Sequence, residues 1–155
     1  MREIAVPTLP YVDDLIVNEI EAGGIVGIAP RTSDGRLDID ALCEMVRRLF
    51  DLGVNRTVVI HAPEGAVGAE KGGVPVCVGV YEVRPEEIRG TTGAGDAFCS
   101  GVIYGLYQGW SLTEAMELGN AMGAMNLFDP SCTGGSKPLG EVRDFMNHRR
   151  RRDLV

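Results

Sequence analysis

Apolar residues recur at helical spacing between Asp38 and Gly53. Asp38 is a suitable N-cap for such a helix, and Gly53 is a suitable residue to end it. One face of the predicted helix is apolar, at Ile39, Leu42, Val46, Leu49 and Phe50. We therefore expect this helix to bury one side.

Short apolar runs on both sides of that helix predict strands. The run from Val12 to Val17 is typical of a short strand, and the run from Arg56 to His61 is typical of a buried one. Two more strands are predicted over residues 66–71 and 74–80, with a turn at Gly72–Gly73. Helices that alternate with strands indicate a parallel or mixed α/β sheet.

The second half of the chain predicts three helices. One begins after residue 96, a second begins at the capping box Ser111–Glu114 and runs to about Leu127, and a third covers residues 139–148. In the first of them, Ala97, Gly101 and Gly105 lie four residues apart on one stripe. Glycine inside a helix costs ~0.5–1 kcal/mol relative to alanine, so we expect that stripe to pack closely against a neighbour.

Composition narrows the class of protein. A chain of 155 residues suits about one domain, and its net charge of −7 disfavours general nucleic-acid binding. The four cysteines are scattered without a C-x-x-C pair, which predicts buried free thiols in a reducing compartment. No signal peptide is visible, and the longest apolar run, residues 97–107, is shorter than the ~20 residues that cross a bilayer. The expected location is the cytoplasm, without membrane contact.

The stretch from Gly90 to Phe98 carries the strongest chemical signal. A loop of small residues is followed by Asp96 and an apolar segment, which predicts a loop that opens a helix. The first N–H groups of a helix have no internal partner and attract anions. A carboxylate there makes chemical sense if it takes a proton from a hydroxyl while the amides hold charge that develops on a phosphoryl group. From spacing alone, an ordinary glycine-rich turn with an acid in the first helical turn stays open as the alternative.

The residues Thr91-x-Gly93-Ala94-Gly95-Asp96-x-Phe98 resemble the C-terminal signature of the ribokinase-like (PfkB-type) carbohydrate kinases. In that family the Gly-Ala-Gly amides form an anion hole, and the Asp is the general base. The resemblance therefore implies that the amides of Gly93, Ala94 and Gly95 stabilise developing charge and that Asp96 is catalytic. It also implies that Thr91 lies at the nucleotide.

The pair Asn18-x-x-Glu21 resembles a second motif of the family, which helps to arrange Mg²⁺ and phosphate. Because Mg²⁺ prefers oxygen ligands and keeps several waters, one carboxylate acting through water is sufficient. Without the resemblance, these residues predict only a helix that begins after the N-cap Asn18.

Three other segments resemble parts of the family near the nucleotide. The segment Gly65-Ala66-Val67-Gly68 resembles its Gly-x-x-Gly turn, although by itself it could form any tight hairpin. Asn120 stands where the family has an Asn near the adenine, and its alternative interpretation is an exposed polar residue of a helix. The loop Cys132-Thr133-Gly134-Gly135 resembles the one that closes over the base, which implies that Gly135 contacts the nucleotide.

Other catalytic patterns are missing from the sequence. There is no G-x-x-x-x-G-K-[ST] motif, and the only lysines are Lys71 and Lys137. Gly93-x-Gly95 is followed by Phe98, where a dinucleotide fingerprint would have glycine or alanine. The two histidines have no nucleophile beside them in the sequence, so we assign no catalytic triad.

The resemblance implies a three-layer, Rossmann-like α/β sheet that is incomplete relative to full-length relatives. Residues 1–148 match the C-terminal nucleotide-binding and catalytic part, and residues 149–155 form a basic tail whose arginines, 149–152, are predicted to be solvated. The N-terminal half of the family, which normally carries most sugar-binding residues, has no counterpart in this sequence. An uncovered sheet edge and apolar helix faces invite pairing, so we expect a homodimer or a larger assembly.

The implied activity is ATP-dependent phosphorylation of a hydroxyl on a sugar or sugar-like molecule, with ATP and Mg²⁺ as cofactors. The alternative is a catalytically silent fragment that binds nucleotide or dimerises. Many relatives have an Asp where this chain has Gly90, in a loop that helps to hold a monovalent cation in several members. This departure puts potassium activation in doubt.

Overall fold

A computed structural model describes residues 2–154 and divides the chain into two compact units, residues 2–77 and 78–154. The first unit contains helices α1 (Arg2–Ala5), α2 (Glu19–Val26) and α3 (Ile39–Asp51), and strands β1 (Asp14–Asn18), β2 (Thr57–Ala62) and β3 (Gly65–Glu70). The second unit contains helices α4 (Ala94–Tyr107), α5 (Leu112–Asn126) and α6 (Leu139–His148). Strand β4 (Val76–Gly79) spans the boundary between the units.

The predicted α/β class is confirmed, and the sheet is mixed. Its strand order is β1-β2-β3-β4. Strands β1 and β2 are parallel and pair Asn18 with His61 at their carboxyl ends, whereas β2 and β3 form an antiparallel hairpin. The four strands expected from the apolar runs are all present. Strands β2 and β3 have the predicted length and are shifted by one residue, whereas β1 and β4 are shorter than predicted.

The helix α3 forms as its pattern predicts. The Asp38 side chain accepts a hydrogen bond of 2.9 Å from the Ala41 N–H and so caps the helix. The helix ends at Asp51, just before Gly53, which adopts a φ of +120° that favours glycine. The buried face comprises Leu42, Met45, Val46 and Leu49.

Residues 2–11 were not expected to be helical. Helix α1 is followed by a 3-10 turn over Val6–Tyr11, which contains two prolines. Proline favours the first turn of a helix but also breaks helices, so its local signal is ambiguous. Pro10 of this turn packs closely on Gly53. A Cβ on Gly53 would lie 2.8 Å from the Pro10 Cγ.

The glycine stripe of α4 packs closely, as predicted. A Cβ on Gly105 would lie 2.7 Å from the Cα of Ala115 on α5, so the two helix backbones approach each other directly. Helix α5 begins at the predicted capping box, in which the Ser111 N–H donates to the Glu114 carboxylate at 2.9 Å.

The basic tail is solvated in part, as predicted, because Arg150, Arg151 and Arg152 are exposed, but its backbone is also paired. The Arg152 N–H donates to the Val80 carbonyl, and the Glu82 N–H donates to the Arg150 carbonyl, each at 2.9 Å. Residues 149–152 therefore run antiparallel to residues 79–82. All four arginines of the tail form ion pairs. Arg149 pairs with Glu87 and Arg151 with Glu117, and Arg150 and Arg152 both pair with Glu82, at 3.9 and 3.5 Å.

The prediction of four buried thiols is wrong. Cys77 and Cys132 are exposed, and Cys43 and Cys99 are partly buried, and all four are free. Cys77 lies in the first half of β4, which is exposed, whereas the second half is buried. Across residues 2–154, every helix is too short or too polar to span a bilayer.

Candidate functional site

Gly93 shapes the start of α4 in the second unit. It is the N-cap residue and has a φ of +83°, a left-handed conformation that other residues rarely adopt. The first intrahelical hydrogen bond runs from the Ala97 N–H to the Gly93 carbonyl at 2.9 Å. The N–H groups of Gly95 and Asp96 precede that bond and lie at the positive end of the helix.

Of the three predicted anion-hole amides, the one at Ala94 is partly engaged. Its N–H donates to the Thr91 carbonyl at 3.3 Å, which closes a turn in the signature loop. A long hydrogen bond of this kind is easily shared with a second acceptor. The other two predicted amides belong to Gly93 and Gly95, on either side of it.

Asp96 stands in the first turn of α4 and is exposed. Its backbone carbonyl accepts a hydrogen bond of 2.8 Å from the Ser100 hydroxyl. Its carboxylate has no hydrogen bond or salt bridge within residues 2–154 and so remains available to an outside proton donor. Burial, followed by the negative charge of Asp96, raises the pKa of the nearby Cys99 thiol.

A second loop, residues 129–135, lies against the signature loop. A Cβ on Gly93 would be 2.8 Å from the Cα of Cys132, so this glycine is required by contact as well as by its φ. Gly135 is equally close to α5, because its Cβ would lie 2.9 Å from the Met125 carbonyl oxygen. The loop that resembles the nucleotide-closing segment is thus packed between the start of α4 and the end of α5.

Asn126 connects these parts and was not predicted. This fully buried residue donates from its side-chain amide to the Thr92 carbonyl at 2.9 Å. Its Oδ1 atom has no hydrogen-bond partner within the described chain. The only sequence signal is an asparagine in the last turn of an apolar helix, which by itself is also compatible with a solvent-exposed helix end.

Gly90 leaves no space for a side chain. A Cβ at this position would lie 2.9 Å from the Pro130 Cα and 3.3 Å from the Asp129 carbonyl oxygen. The residues present therefore do not fit a monovalent-cation site that uses a carboxylate at position 90. We assign no role to such a cation.

Asn120 is buried, with 5% of its surface exposed. Its side-chain NH₂ donates to the carbonyls of Val78 and Gly79, at 3.3 and 3.1 Å. The interpretation of Asn120 as an exposed polar residue is therefore wrong. Its amide holds α5 to the end of β4, and the contact of Asn120 with a nucleotide stays a prediction.

In the first unit, Asn18 and Glu21 bond to each other as a capping box. The Glu21 N–H donates to the Asn18 side-chain oxygen at 2.8 Å, and the Asn18 N–H donates to the Glu21 carboxylate at 3.1 Å. This arrangement starts α2 at the end of β1. One oxygen of the Glu21 carboxylate is left outside the box.

A charged cluster surrounds this corner of the first unit and was not predicted. Arg31 binds the buried Glu19 at 2.9 Å and Glu64 at 2.7 Å. Burial lowers the pKa of His61, and the charges of Glu19 and Glu21 oppose that shift. Arg31 and Glu64 lie in separate loops, so their proximity follows from the fold and not from sequence spacing.

Gly65 and Gly68 do not form the predicted Gly-x-x-Gly turn. Both are buried in β3 and pair with Ala62 and Val59 of β2. The hairpin turn lies just before Gly65, at residues 63–64. Glycine inside a strand is found where another segment of backbone approaches closely. Gly65 and Gly68 are therefore strand residues here and not turn residues.

The sequence matches a known family of proteins. Residues 5–138 match the family described as pfkB family carbohydrate kinase. The chain is 31% identical over 102 residues to the 5-dehydro-2-deoxygluconokinase of Geobacillus thermodenitrificans, a match that covers 66% of the chain and 29% of the relative. It is 30% identical over 107 residues to the protein of the same name from Geobacillus kaustophilus, covering 69% of the chain and 31% of the relative. The chain therefore spans less than a third of the length of these relatives.

Solved structures show the same fold. The Arabidopsis thaliana ribokinase complexed with ribose and ATP superposes with a TM-score of 0.78 at 20% identity, covering 92% of this chain and 43% of that one. The 2-dehydro-3-deoxygluconokinase of Thermotoga maritima gives a TM-score of 0.77 at 22% identity, covering 94% and 44%. At these identities the likeness establishes the fold and not the substrate.

Proposed function

The chain belongs to the pfkB family of carbohydrate kinases, and on that premise we propose that it serves ATP-dependent phosphoryl transfer to a hydroxyl of a sugar or sugar-like molecule. One observation carries the proposal. The glycine N-cap Gly93 opens α4 with outward amides, and the exposed carboxylate of Asp96 stands in the same first turn. Anion-binding amides and a proton acceptor are the two elements that this transfer needs.

In the proposed reaction, Asp96 is the general base. Its carboxylate takes the proton of the acceptor hydroxyl as that oxygen forms a bond to the terminal phosphorus of ATP. The bond between this phosphorus and the bridging oxygen breaks, ADP leaves, and the proton on Asp96 passes to solvent. A carboxylate that makes no internal hydrogen bond or salt bridge is free to accept a proton from a bound hydroxyl.

The amides of Gly93, Ala94 and Gly95 are proposed to stabilise charge that develops on the transferred group. They are fixed before any ligand binds, because α4 and the loop over residues 129–135 hold Gly93 in its left-handed conformation. Preorganised donors of this kind cost no rearrangement at the moment of reaction. Thr91 and Gly135 are proposed to flank the nucleotide.

Asn18 and Glu21 are proposed to contribute to Mg²⁺ binding. Within residues 2–154 no group of three or more His, Cys, Asp or Glu side chains is arranged to hold a metal. That fits a Mg²⁺ ion that is held mainly by phosphate and water and contacts the protein through one carboxylate. When bound, Mg²⁺ neutralises phosphate charge.

Gly65 and Gly68 are proposed to lie near the nucleotide on the family resemblance alone.

A binding experiment tests first whether the chain binds a nucleotide. Calorimetry with Mg-ADP should give a measurable heat, and thermal denaturation should show stabilisation of ~2.7 kcal/mol at a hundred times Kd. No effect at millimolar nucleotide would count against the proposed site.

The variant Asp96→Asn tests the chemistry. In a coupled ADP assay, its turnover should fall by ~10²–10⁴ because the base is gone, while ADP affinity is kept or rises slightly. Glu141→Gln is the matched control, because Glu141 is an exposed acid in the first turn of α6. Normal turnover by Asp96→Asn would remove this residue from the mechanism. The names of the relatives make 5-dehydro-2-deoxygluconate the first acceptor to test, followed by ribose.

A second function is nucleotide binding without transfer. Phosphoryl transfer requires an acceptor held in line, and positioning can supply ~7–11 kcal/mol of the barrier. The matches cover only 29% and 31% of the length of the two Geobacillus relatives. Tight Mg-ADP binding with no acceptor-dependent ADP release would favour this alternative.

A further inference from the structure

The Arg149 guanidinium contacts one carboxylate and two aromatic rings. It forms a two-pronged ion pair with Glu87, with N–O distances of 2.9 and 2.5 Å. The same group lies over two aromatic rings, 5.5 Å from the centre of Phe145 and 5.7 Å from that of Phe128. A flat, forked cation satisfies the carboxylate and both rings at once, which a lysine ammonium cannot do.

Glu87 belongs to the segment that leads into the signature loop. It ends a 3-10 turn over Pro85–Glu87, three residues before Gly90. Its carboxylate also accepts from the backbone N–H of Arg84 at 2.9 Å, so the turn and the tail converge on one side chain. The hydrogen bonds from Arg149 and then Arg84 hold the pKa of Glu87 far below its ordinary value.

Phe128 directly precedes the loop over residues 129–135. The Leu127 carbonyl next to it accepts from the N–H of Arg89 at 2.7 Å and from that of Gly90 at 3.4 Å. Beyond these contacts, Gly90 packs on Pro130. Arg149 therefore contacts both segments at the points from which the signature loop and the loop over residues 129–135 depart.

We propose that Arg149 is a positioning residue for the anion site at the start of α4, acting through Glu87 and Phe128. This inference rests on the proposed function, because it assumes that nucleotide phosphate binds there. The tail that the sequence suggested was a solvated end thus sets the geometry of the site, although Arg149 itself does not touch the reacting atoms.

The test compares Arg149→Met and Arg149→Lys with Arg151→Met. Arg151 lies in the same tail and pairs with Glu117 of α5, away from the two loops, which makes it a matched control. Mg-ADP affinity is measured by calorimetry, and unfolding by urea is measured without ligand. We expect Arg149→Met to weaken Mg-ADP binding about tenfold, Arg149→Lys to weaken it less, and Arg151→Met to leave it within about twofold.

A second readout separates positioning from general stability. In ¹⁵N-labelled protein without ligand, the amide resonances of Gly93 and Gly95 should shift in both Arg149 variants and stay in place in Arg151→Met. If Arg149→Met does not fold, the lysine variant supplies the same comparison. Unchanged Gly93 and Gly95 resonances with wild-type affinity would overturn the inference. Equal weakening by Arg151→Met at equal loss of stability would overturn it too.

The two proposals can fail separately. If the wild-type chain does not bind Mg-ADP, the proposed function fails. The amide resonances still decide in that case whether Arg149 sets the conformation at the start of α4.

Discussion

Gly101 of α4 lies directly against Gly119 of α5. A Cβ on Gly101 would be 2.7 Å from the Gly119 Cα, and a Cβ on Gly119 would be 2.9 Å from the Phe98 carbonyl oxygen. Two helix backbones can approach this closely only where neither residue carries a side chain. Since α4 bears the signature loop at its start, this contact fixes the element that presents the proposed anion site.

Gly101→Ala should therefore destabilise the protein although alanine is the better helix former. The added methyl group meets backbone, which cannot rotate away, and overpacking of this kind costs about 1–3 kcal/mol. Urea denaturation gives the change in unfolding free energy. Gly140→Ala in α6 is the control, because a Cβ there meets nothing within 4 Å. It should be neutral or stabilising by at most about 1 kcal/mol.

Gly93→Ala should weaken both stability and nucleotide binding. Alanine at a φ of +83° is strained by about 1–2 kcal/mol, and its methyl group also meets the backbone of Cys132. The control Gly109→Ala has a φ of +74° and open space around it, so only the backbone strain applies. Thermal denaturation and Mg-ADP calorimetry on both variants measure the difference. Equal effects on nucleotide affinity would show that the contact with the 129–135 loop is unimportant.

The variant Glu21→Gln distinguishes the capping role of Glu21 from its proposed role in Mg²⁺ binding. Glutamine preserves the capping box of α2, so the unfolding free energy should change little, whereas Glu21→Ala should lose about 1 kcal/mol. If Glu21 contributes to Mg²⁺ binding, both variants should need more Mg²⁺ to reach half-maximal ADP affinity. Titration of Mg²⁺ at fixed ADP measures this. A wild-type Mg²⁺ requirement in Glu21→Gln would restrict the residue to capping.

Glu87 should make stability depend on acid pH. Its pKa is lowered in the folded chain, so the unfolded chain binds protons first as the pH falls below about 4.5, its ordinary value. The stabilisation is complete above that pH and is lost progressively below it. The unfolding free energy of Glu87→Gln should therefore fall less steeply between pH 5 and pH 3, a range of roughly two units. Glu86→Gln, whose side chain is 68% exposed, is the control and should follow the wild type.

Self-association is expected through the first unit. Strand β1 pairs with β2 on one side and has no other strand partner within residues 2–154, and Ile20 beside it is 60% exposed. An unpaired strand edge next to exposed apolar surface is a pairing site. Light scattering during gel filtration, over a range of concentrations, should detect a dimer or larger species. A monomer at all concentrations would contradict this expectation.

Local chemistry explains what could be predicted from the sequence. The cap Asp38, the capping box at Ser111 and the apolar face of α3 each involve neighbours in the chain, so their signals are contained within a few residues. The signature around Asp96 is equally local, because a loop that opens a helix is made of consecutive residues. These features, together with the mixed α/β class, were determined by the order of the amino acids alone.

Two of the corrected interpretations concern residues whose partners are far away in the chain. Asn120 was compatible with an exposed helix position, and only the packing of α5 against β4 places its amide on two backbone carbonyls. Arg149 looked like part of a solvated tail, yet its ion pair with Glu87 spans 62 residues. Burial and ion pairing depend on which segments meet in space, and no spacing rule encodes that. The sequence alone determined the local elements, including the loop that opens α4, because each involves neighbours in the chain. The tertiary structure decided which distant side chains contact that loop, such as Asn126 at the Thr92 carbonyl.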